Sequence, residues 1–483
     1  MASNRNRSSP KVWTPELVSE YVDSELFEQS RRYQQTGKPQ SVSFRDLCEE
    51  WPWAKRSDVF THLIHKYPAK LLAYIPIFFL SGSLTKPKDI VLDCFAGTGT
   101  VLLESITHPH NPRTCFGVEI SPLARLIAKV KTKPLNPIML RSEAALLFTE
   151  IKQYRGLPNI PTFPNSDFWF RGKVLHDLAK VRDCIDRSQS GPAVRDFFRV
   201  CLSAIIRDVS RADPHIAPPV KLKVSNFPKK QHKQVEAAIQ RKARADVLTY
   251  FRASVKKNIA RMEKLYSEVV DAKTNVFSDI IWDDARSIQR GSYREKGQIL
   301  KRTPAPLDHR IGLAITSPPY INAQKYVRTT KFELWCLGLE DELSLAALDK
   351  QMIGTERIYS DEYKELIPVN NVKLDNQLKK IFKRSPERAG IVSRYFRDMR
   401  TTISRVHRVL KPGAYFALVV GNNTVTGSTV KTHEILAEIA QEKGKFSLET
   451  ILVDSIRSRG LITKRHDTAG VISEEWVLVL RKK

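Results

Sequence analysis

Ser317, Pro318, Pro319 and Tyr320 stand directly after an apolar run of strand type, Leu313–Thr316. Two consecutive prolines suit neither a helix interior nor a central strand, so the chain makes a stiff corner there. Such a corner aims the Ser317 hydroxyl and the main-chain carbonyls, that of Pro318 among them, at one spot. It also holds the Tyr320 ring beside them at stacking range. This set of groups suits a planar ring bearing an exocyclic amine: the oxygens accept its N–H bonds and the tyrosine stacks on it. Turning the amine lone pair toward a methyl donor is then a matter of position. A bare P-P-Y also serves as a polyproline ligand or a loop, but a docking motif would not follow a buried strand.

A second constellation lies upstream. Asp93 ends the apolar stretch DIVLDCF, and AGTGT follows before the helical pattern VLLESI. Gly97 and Gly99 allow a sharp turn and a close approach of backbone to ligand. The phosphate-cradling pattern ending in G-K-[ST] fails, because Thr98 and Thr100 flank the last glycine. The G-x-G-x-x-G dinucleotide pattern fails too, with Leu102 at its third glycine position. Glu119 ends the next strand pattern, TCFGVEI, about twenty residues beyond the glycines, where a carboxylate can accept both ribose hydroxyls. Together these features point to an adenosyl ligand that need not carry phosphate. An ordinary strand-to-helix turn followed by a surface glutamate is the plainer alternative.

The elements that must position these groups alternate. Residues 89–130 read as β-α-β-α, with Ser121 and Pro122 as cap and first residue of the second helix. Strand patterns resume at NVFSDIIWDDA and IGLAITSPPY, then at AYFALVVGN after a K-P-G turn, and end in FSLETILVDSI and EEWVLVLRKK. This predicts an α/β fold: a doubly wound, mainly parallel Rossmann-like sheet with a terminal antiparallel hairpin. Helices dominate elsewhere. One starts at Thr14–Pro15, others cover DFWFRGKVLHDLAKVRDCIDR and AVRDFFRVCLSAIIRDVSR, and a long basic one is predicted over 232–266. In that last one Leu248, Phe251, Val255, Ile259, Met262 and Tyr266 recur every three or four residues. A further helix is expected over YFRDMRTTISRVHRVL.

The 483 residues suffice for one large domain with insertions or for several. Lys and Arg exceed Asp and Glu by 79 − 52 = 27, which suggests a polyanionic partner. Between Lys221 and Lys264 there are thirteen basic residues and three acids, Glu236, Asp246 and Glu263, so the 232–266 helix is a candidate for tracking phosphates. RADPH (211–215) and RSRGLITKRH (457–466) are polar loops that either reach nucleic acid or simply connect elements; WPW (51–53) is expected to pack on the core, and GNN (421–423) to edge the site or form a turn. Six cysteines are scattered singly, so no zinc or redox motif is signalled, and reduced thiols of a cytosol-like compartment are expected. The longest apolar run, LLAYIPIFFL, is too short to span a bilayer.

Taken together, the two constellations resemble the S-adenosyl-L-methionine-dependent amino-methyltransferases of DNA. That family carries an F-x-G-x-G loop for the methionine part of the cofactor and [DNS]-P-P-[YF] for the amine. The serine form is similar to the cytosine-N4 branch more than to the adenine-N6 branch. The resemblance implies a cofactor site at Asp93, Phe95, Gly97, Gly99, Thr100, Glu119 and Ile120. HKYPAKL (65–71) resembles the segment that places His65, Tyr67, Pro68 and Lys70 at the methionine end, and DDAR (283–286) the segment that sets Asp284 and Ala285 by the adenine. Catalysis would fall to Ser317, Pro318, Pro319 and Tyr320, with no metal. The implied methyltransferase domain covers 61–130, 276–336 and 393–483. Residues 1–60 would be a helical extension, 131–275 a basic insertion for target recognition, and 337–392 a smaller insertion near the site. The insertion precedes the third cofactor segment, a departure from the family's usual placement just before the amine motif. No Pro-Cys dipeptide is present, which disfavours ring-carbon methylation of cytosine. The implied partners are double-stranded DNA and a companion restriction nuclease, in a prokaryotic-type, nucleoid-associated cytoplasmic setting. The alternatives are adenine-N6 methylation, an RNA base amino-methyltransferase, and a DNA-binding protein that kept the fold without the activity.

Overall fold

The computed structural model describes residues 12–54, 60–68, 70–214, 216, 218–270, 275–288, 293–295, 298–300, 307–321, 325–455 and 473–483. At its centre are eight strands: β1 (Gln40–Val42), β2 (Ile90–Asp93), β3 (Cys115–Val118), β4 (Ser278–Trp282), β5 (Ile311–Thr316), β6 (Leu410–Val420), β7 (Phe446–Ser455) and β8 (Glu474–Lys482). Their spatial order is β1-β7-β8-β6-β5-β2-β3-β4. Neighbours pair in parallel except around β8, which runs antiparallel to both β6 and β7. This is a Rossmann-like methyltransferase arrangement closed by an antiparallel hairpin. The chain leaves β2 toward β3 and β4, then returns to the other side of β2 with β5, so the direction of winding reverses between β2 and β5.

The strands are apolar on both faces because helices cover both. From β2, Val91 enters a layer with the apolar faces of α1 (Pro15–Thr36), α2 (Tyr74–Ser81) and α3 (Thr100–Ile106), and Trp51 and Trp53 are buried in that layer. Leu92 points to the opposite layer, filled by α13 (Pro386–Val409) and α14 (Thr432–Gln441). A third core holds α4 (Pro122–Thr132), α5 (Pro137–Gln153), α6 (Gly172–Arg187), α7 (Pro192–Val209), α9 (Val247–Val270) and α10 (Tyr326–Cys336). Start signals act as expected. The Thr14 side chain caps α1 with Pro15 at its first position, and Ser121 with Pro122 does the same for α4.

Several elements differ from the sequence expectation. The basic helix over 232–266 is two helices, α8 (His232–Ala243) and α9. Asp246 breaks it by accepting the Thr249 amide at 2.8 Å and its hydroxyl at 2.6 Å, a capping arrangement. Phe251, Val255, Ile259 and Met262 are buried along α9, while Leu248 and Tyr266 are half-buried. The helix expected from Asp167 is interrupted at Phe170, whose backbone is extended, and α6 begins at Gly172. Lys411-Pro412-Gly413 is no turn between elements but a bulge within β6. The register jumps there from Ile311↔Leu410 to Leu313↔Tyr415, and Gly413 takes a φ of +74°. The helix expected from Tyr395 begins earlier, at Pro386, with Ser385 as cap. The segment 337–392 adds the helices α11 (Glu342–Gln351) and α12 (Val372–Arg384).

Candidate active site

Because β2 and β5 are parallel neighbours, their carboxyl ends meet, and both constellations sit on that edge. The Thr316 hydroxyl, last in β5, donates to Asp93 Oδ1 at 2.6 Å. The Phe95 amide reaches Asp93 Oδ1 at 3.1 Å and Thr316 Oγ1 at 3.0 Å. One buried knot therefore ties the glycine loop to the residue before the diproline corner. Burial pushes the Asp93 carboxyl up to about 7, against the pull of these hydrogen bonds.

The two glycines divide their work. Gly97, at φ +51°, fronts the cavity, and a Cβ there would meet no protein atom within 4 Å. Gly99, at φ +76°, packs on α4, where a Cβ would lie 3.2 Å from that of Ala128. The Gly97 amide donates to Glu119 Oε2 at 2.8 Å, and the Ser121 amide to Oε1 at 2.7 Å. Burial raises the Glu119 pKa, and the amides of Ser121 and Gly97 oppose the shift.

A cavity of about 910 Å³, counting space open to solvent, lies between these loops. Asp93, Phe95, Gly97 and Thr100 line it from the first loop, Glu119 and Ile120 from the end of β3, and Asp284 and Ala285 from the end of β4. Tyr67 and Lys70 close one side, and Ser317 and Pro319 another. His65, Pro68, Gly99, Pro318 and Tyr320 are not among the lining residues. His65 is buried behind the wall. Its carbonyl, not its ring, acts, accepting Lys70 Nζ at 2.9 Å alongside the His62 carbonyl at 2.8 Å. Burial and the Lys70 charge hold the His65 imidazole down to about 4.

Tyr320 turns toward β8. Its hydroxyl donates to Glu475 Oε1 at 3.4 Å. Burial, with Asp454 opposite on β7, pushes the Glu475 carboxyl up to about 7. Asp284 is held by its neighbour: Arg286 Nη2 lies 2.8 Å from Asp284 Oδ2, and the same guanidinium reaches Asp398 at 3.1 Å and the Gln351 carbonyl at 2.8 Å.

Sequence reasoning missed Thr316, Tyr326, Arg286, Glu475 and the Gln351–Ile353 wall. Only Gly354 offered a signal. At φ +78°, a Cβ there would lie 3.1 Å from the Tyr320 carbonyl and 3.3 Å from Pro319 Cβ, so the strap after α11 backs directly onto the diproline corner.

Away from the cavity, α8 buries only Val235. Lys242 pins it by donating to the carbonyls of Arg207, Asp208 and Ser210 at 3.1, 2.9 and 3.1 Å, near the end of α7. Lys233 and Arg241 remain on its exposed side, and Lys229 and Lys230 are exposed in the short turn just before it. The loop 457–466 lies outside the described residues, as does the N-terminal stretch 1–11. No helix among the described residues is long and apolar enough to cross a membrane.

Known proteins resemble this chain. The Type II methyltransferase M.MvaI of Kocuria varians is 24% identical over 405 residues, covering 78% of this chain and 80% of the relative. The Type II methyltransferases M.AvaI of Nostoc sp. and of Anabaena variabilis are each 30% identical over 153 residues, covering 29% of this chain and 31% of theirs. No protein-family model matches the chain. The likenesses, with the fold, support a methyltransferase family for the chain.

Proposed function

We propose that this chain is a site-specific methyltransferase of double-stranded DNA. It moves a methyl group from S-adenosyl-L-methionine to the exocyclic amine of a base turned out of the duplex, with cytosine N4 favoured over adenine N6. The relatives' names, Type II methyltransferase, support a restriction-modification setting, and a companion nuclease is part of the proposal.

The observation that carries this reading is the Thr316–Asp93 hydrogen bond. It ties the loop read here as the cofactor site to the corner read as the amine site, at one cavity, and so supports the reading. The residues fit the cofactor. Glu119 presents a carboxylate at the cavity for the ribose hydroxyls, Gly97 leaves room against the loop, and Lys70 and Tyr67 stand where an amino-acid tail would lie. Asp284 and Ala285 also line the cavity and suit the adenine. When bound, S-adenosyl-L-methionine supplies an electrophilic methyl on a cationic sulfur.

The chain's own groups do the rest by position. Ser317 Oγ and the Pro318 carbonyl accept the amine's N–H bonds and turn its lone pair toward the cavity. Glu475 holds the Tyr320 hydroxyl, which leaves the ring face to stack on the base. The amine proton passes to solvent or a nearby oxygen, and the donor's positive charge makes a strong general base unnecessary. The helical segment 131–275 is assigned to target recognition, with its lysine-rich α8 on the phosphates. Residues 1–60 form an extension, and 337–392 a wall of the site.

Incubation with S-adenosyl-L-methionine and mixed-sequence duplex DNA, then nucleoside mass spectrometry, tests this. N4-methylcytosine is the expected product. N6-methyladenine would move the assignment to the other base, and methylation of RNA alone would replace the substrate. No methylated nucleoside from any of them would overturn the proposal.

A further inference from the structure

Arg286 lines the cavity and divides its guanidinium among three elements. Nε lies 3.0 Å from Asp284 Oδ1 and Nη2 2.8 Å from Asp284 Oδ2, a two-pronged grip on the residue just past β4. Nη1 reaches Asp398 Oδ2 on α13 at 3.1 Å. Nη2 also donates to the carbonyl of Gln351, the last residue of α11, at 2.8 Å. A guanidinium carries its N–H donors in one rigid plane, and here one from Nε, two from Nη2 and one from Nη1 are committed. Beyond Gln351 the chain runs as a strap. Met352 and Ile353 line the cavity, and Gly354 lies against the diproline corner, within 3.1 to 3.3 Å of the Tyr320 carbonyl and Pro319 Cβ for any Cβ placed on it. Glu356 then pairs at 2.7 Å with Lys325, just ahead of α10. Arg394 on α13 steadies the strap's start by donating to the Lys350 carbonyl at 2.6 Å. The strap therefore meets Arg286 at one end and the corner at the other, and Arg286 meets Asp284. A close-packed chain of this kind passes a displacement along rather than absorbing it.

We propose that Arg286 is a positioning residue for the transfer step: by tying the strap to Asp284 it sets the diproline corner at a fixed distance from the donor's adenine end, and with it the approach of amine to methyl. The inference rests on the base-methylation reading above, with Asp284 as its adenine contact. The task calls for arginine, because a single ammonium cannot span two carboxylates and a carbonyl in one plane. A misplacement of about an ångström costs a reacting pair about 100-fold in rate, so the tie acts on the chemical step rather than on binding.

Arg286→Lys keeps a cation beside Asp284 and gives up the fork. Donor Kd should stay within about threefold of wild type, while the single-turnover rate at saturating donor and duplex should fall about 10- to 100-fold. Gly354→Ala should bring a similar fall, because its Cβ presses on the corner from behind. Both changes act through the strap, so the double variant should lose no more than about threefold beyond the worse single one. An Arg286→Lys rate equal to wild type overturns the inference. So does a loss confined to donor Kd and recovered at saturating donor, which would leave Arg286 serving Asp284 alone, and so do losses that multiply fully in the double variant. Should Arg286→Lys fail to fold, Asp398→Asn keeps the guanidinium and releases only its anchor on α13. A several-fold slower transfer with unchanged donor Kd then supports the inference, and a wild-type rate overturns it. A wild-type protein that methylates no duplex overturns the base-methylation reading itself, and this inference with it.

Discussion

The two sides of the cavity are finished to different degrees. On the glycine-loop side, both oxygens of Glu119 are bonded by backbone amides and Asp93 is bonded by Phe95 and Thr316. On the corner side, the Tyr320 hydroxyl is held by a long hydrogen bond to Glu475 at 3.4 Å, and Ser317 and Pro319 line the cavity. The first side is built before any ligand arrives; the second presents a ring steadied at its hydroxyl. A cofactor met every cycle suits the first, and a substrate that must be selected suits the second.

Four experiments press on that contrast. Tyr320→Ala should cut methyl transfer by about a thousandfold, from a lost stack and a misplaced amine, with donor affinity within about twofold of wild type. Transfer assays paired with calorimetry show both, and comparable transfer by the variant would remove Tyr320 from the slot. Glu119→Ala should do the reverse, raising the donor Kd about 10- to 100-fold through the loss of charge-assisted hydrogen bonds. An unchanged Kd would put the ribose elsewhere.

The third experiment uses pH. In the folded protein burial raises the Asp93 pKa to about 7, whereas the unfolded chain ionises it near 4. Asp93 therefore favours the fold fully below about pH 4, and that contribution is lost as pH rises to about 7. A cationic donor prefers the ionised form, so its affinity should climb by up to about tenfold per pH unit toward 7 and then level off. Titrations in buffers of different ionisation enthalpy would show the proton released, and Asp93→Asn should flatten the profile; a slope surviving in that variant would assign it to another group. The smallest effect is expected from Lys233→Gln on the exposed side of α8. It should lower the salt slope of DNA binding by about 0.9 and weaken affinity a few-fold, leaving donor binding untouched. An unaltered slope would take α8 off the phosphates.

What the sequence showed of this site was local. Asp93, the glycine turn, the Ser121–Pro122 start of α4 and the diproline corner are each written in a few consecutive residues, and each stands where expected. Groups brought by the path of the chain were not legible. Glu475 is one of two acids that open a terminal strand, and Gln351–Ile353 an unremarkable end to α11 and the residues just after it. Strand β1 was missed for the same reason: Gln-Ser-Val has no apolar alternation, and only its partner β7 makes it a strand. The α8–α9 break depended on Asp246 choosing a backbone amide over a helical exterior, a competition that composition does not decide.

Strand β1 carries one more consequence. It pairs with β7, Gln34 on α1 bonds the carbonyls of Leu448 and Glu449, and the Phe44 amide bonds Asp454. During synthesis residues 34–44 must therefore wait, undocked, for partners about 410 residues further along. Folding on the ribosome would complete the β2–β5 middle first and leave the outer edge raw until residue 482 emerges, a stage at which chaperone engagement should concentrate on the apolar stripe of α1.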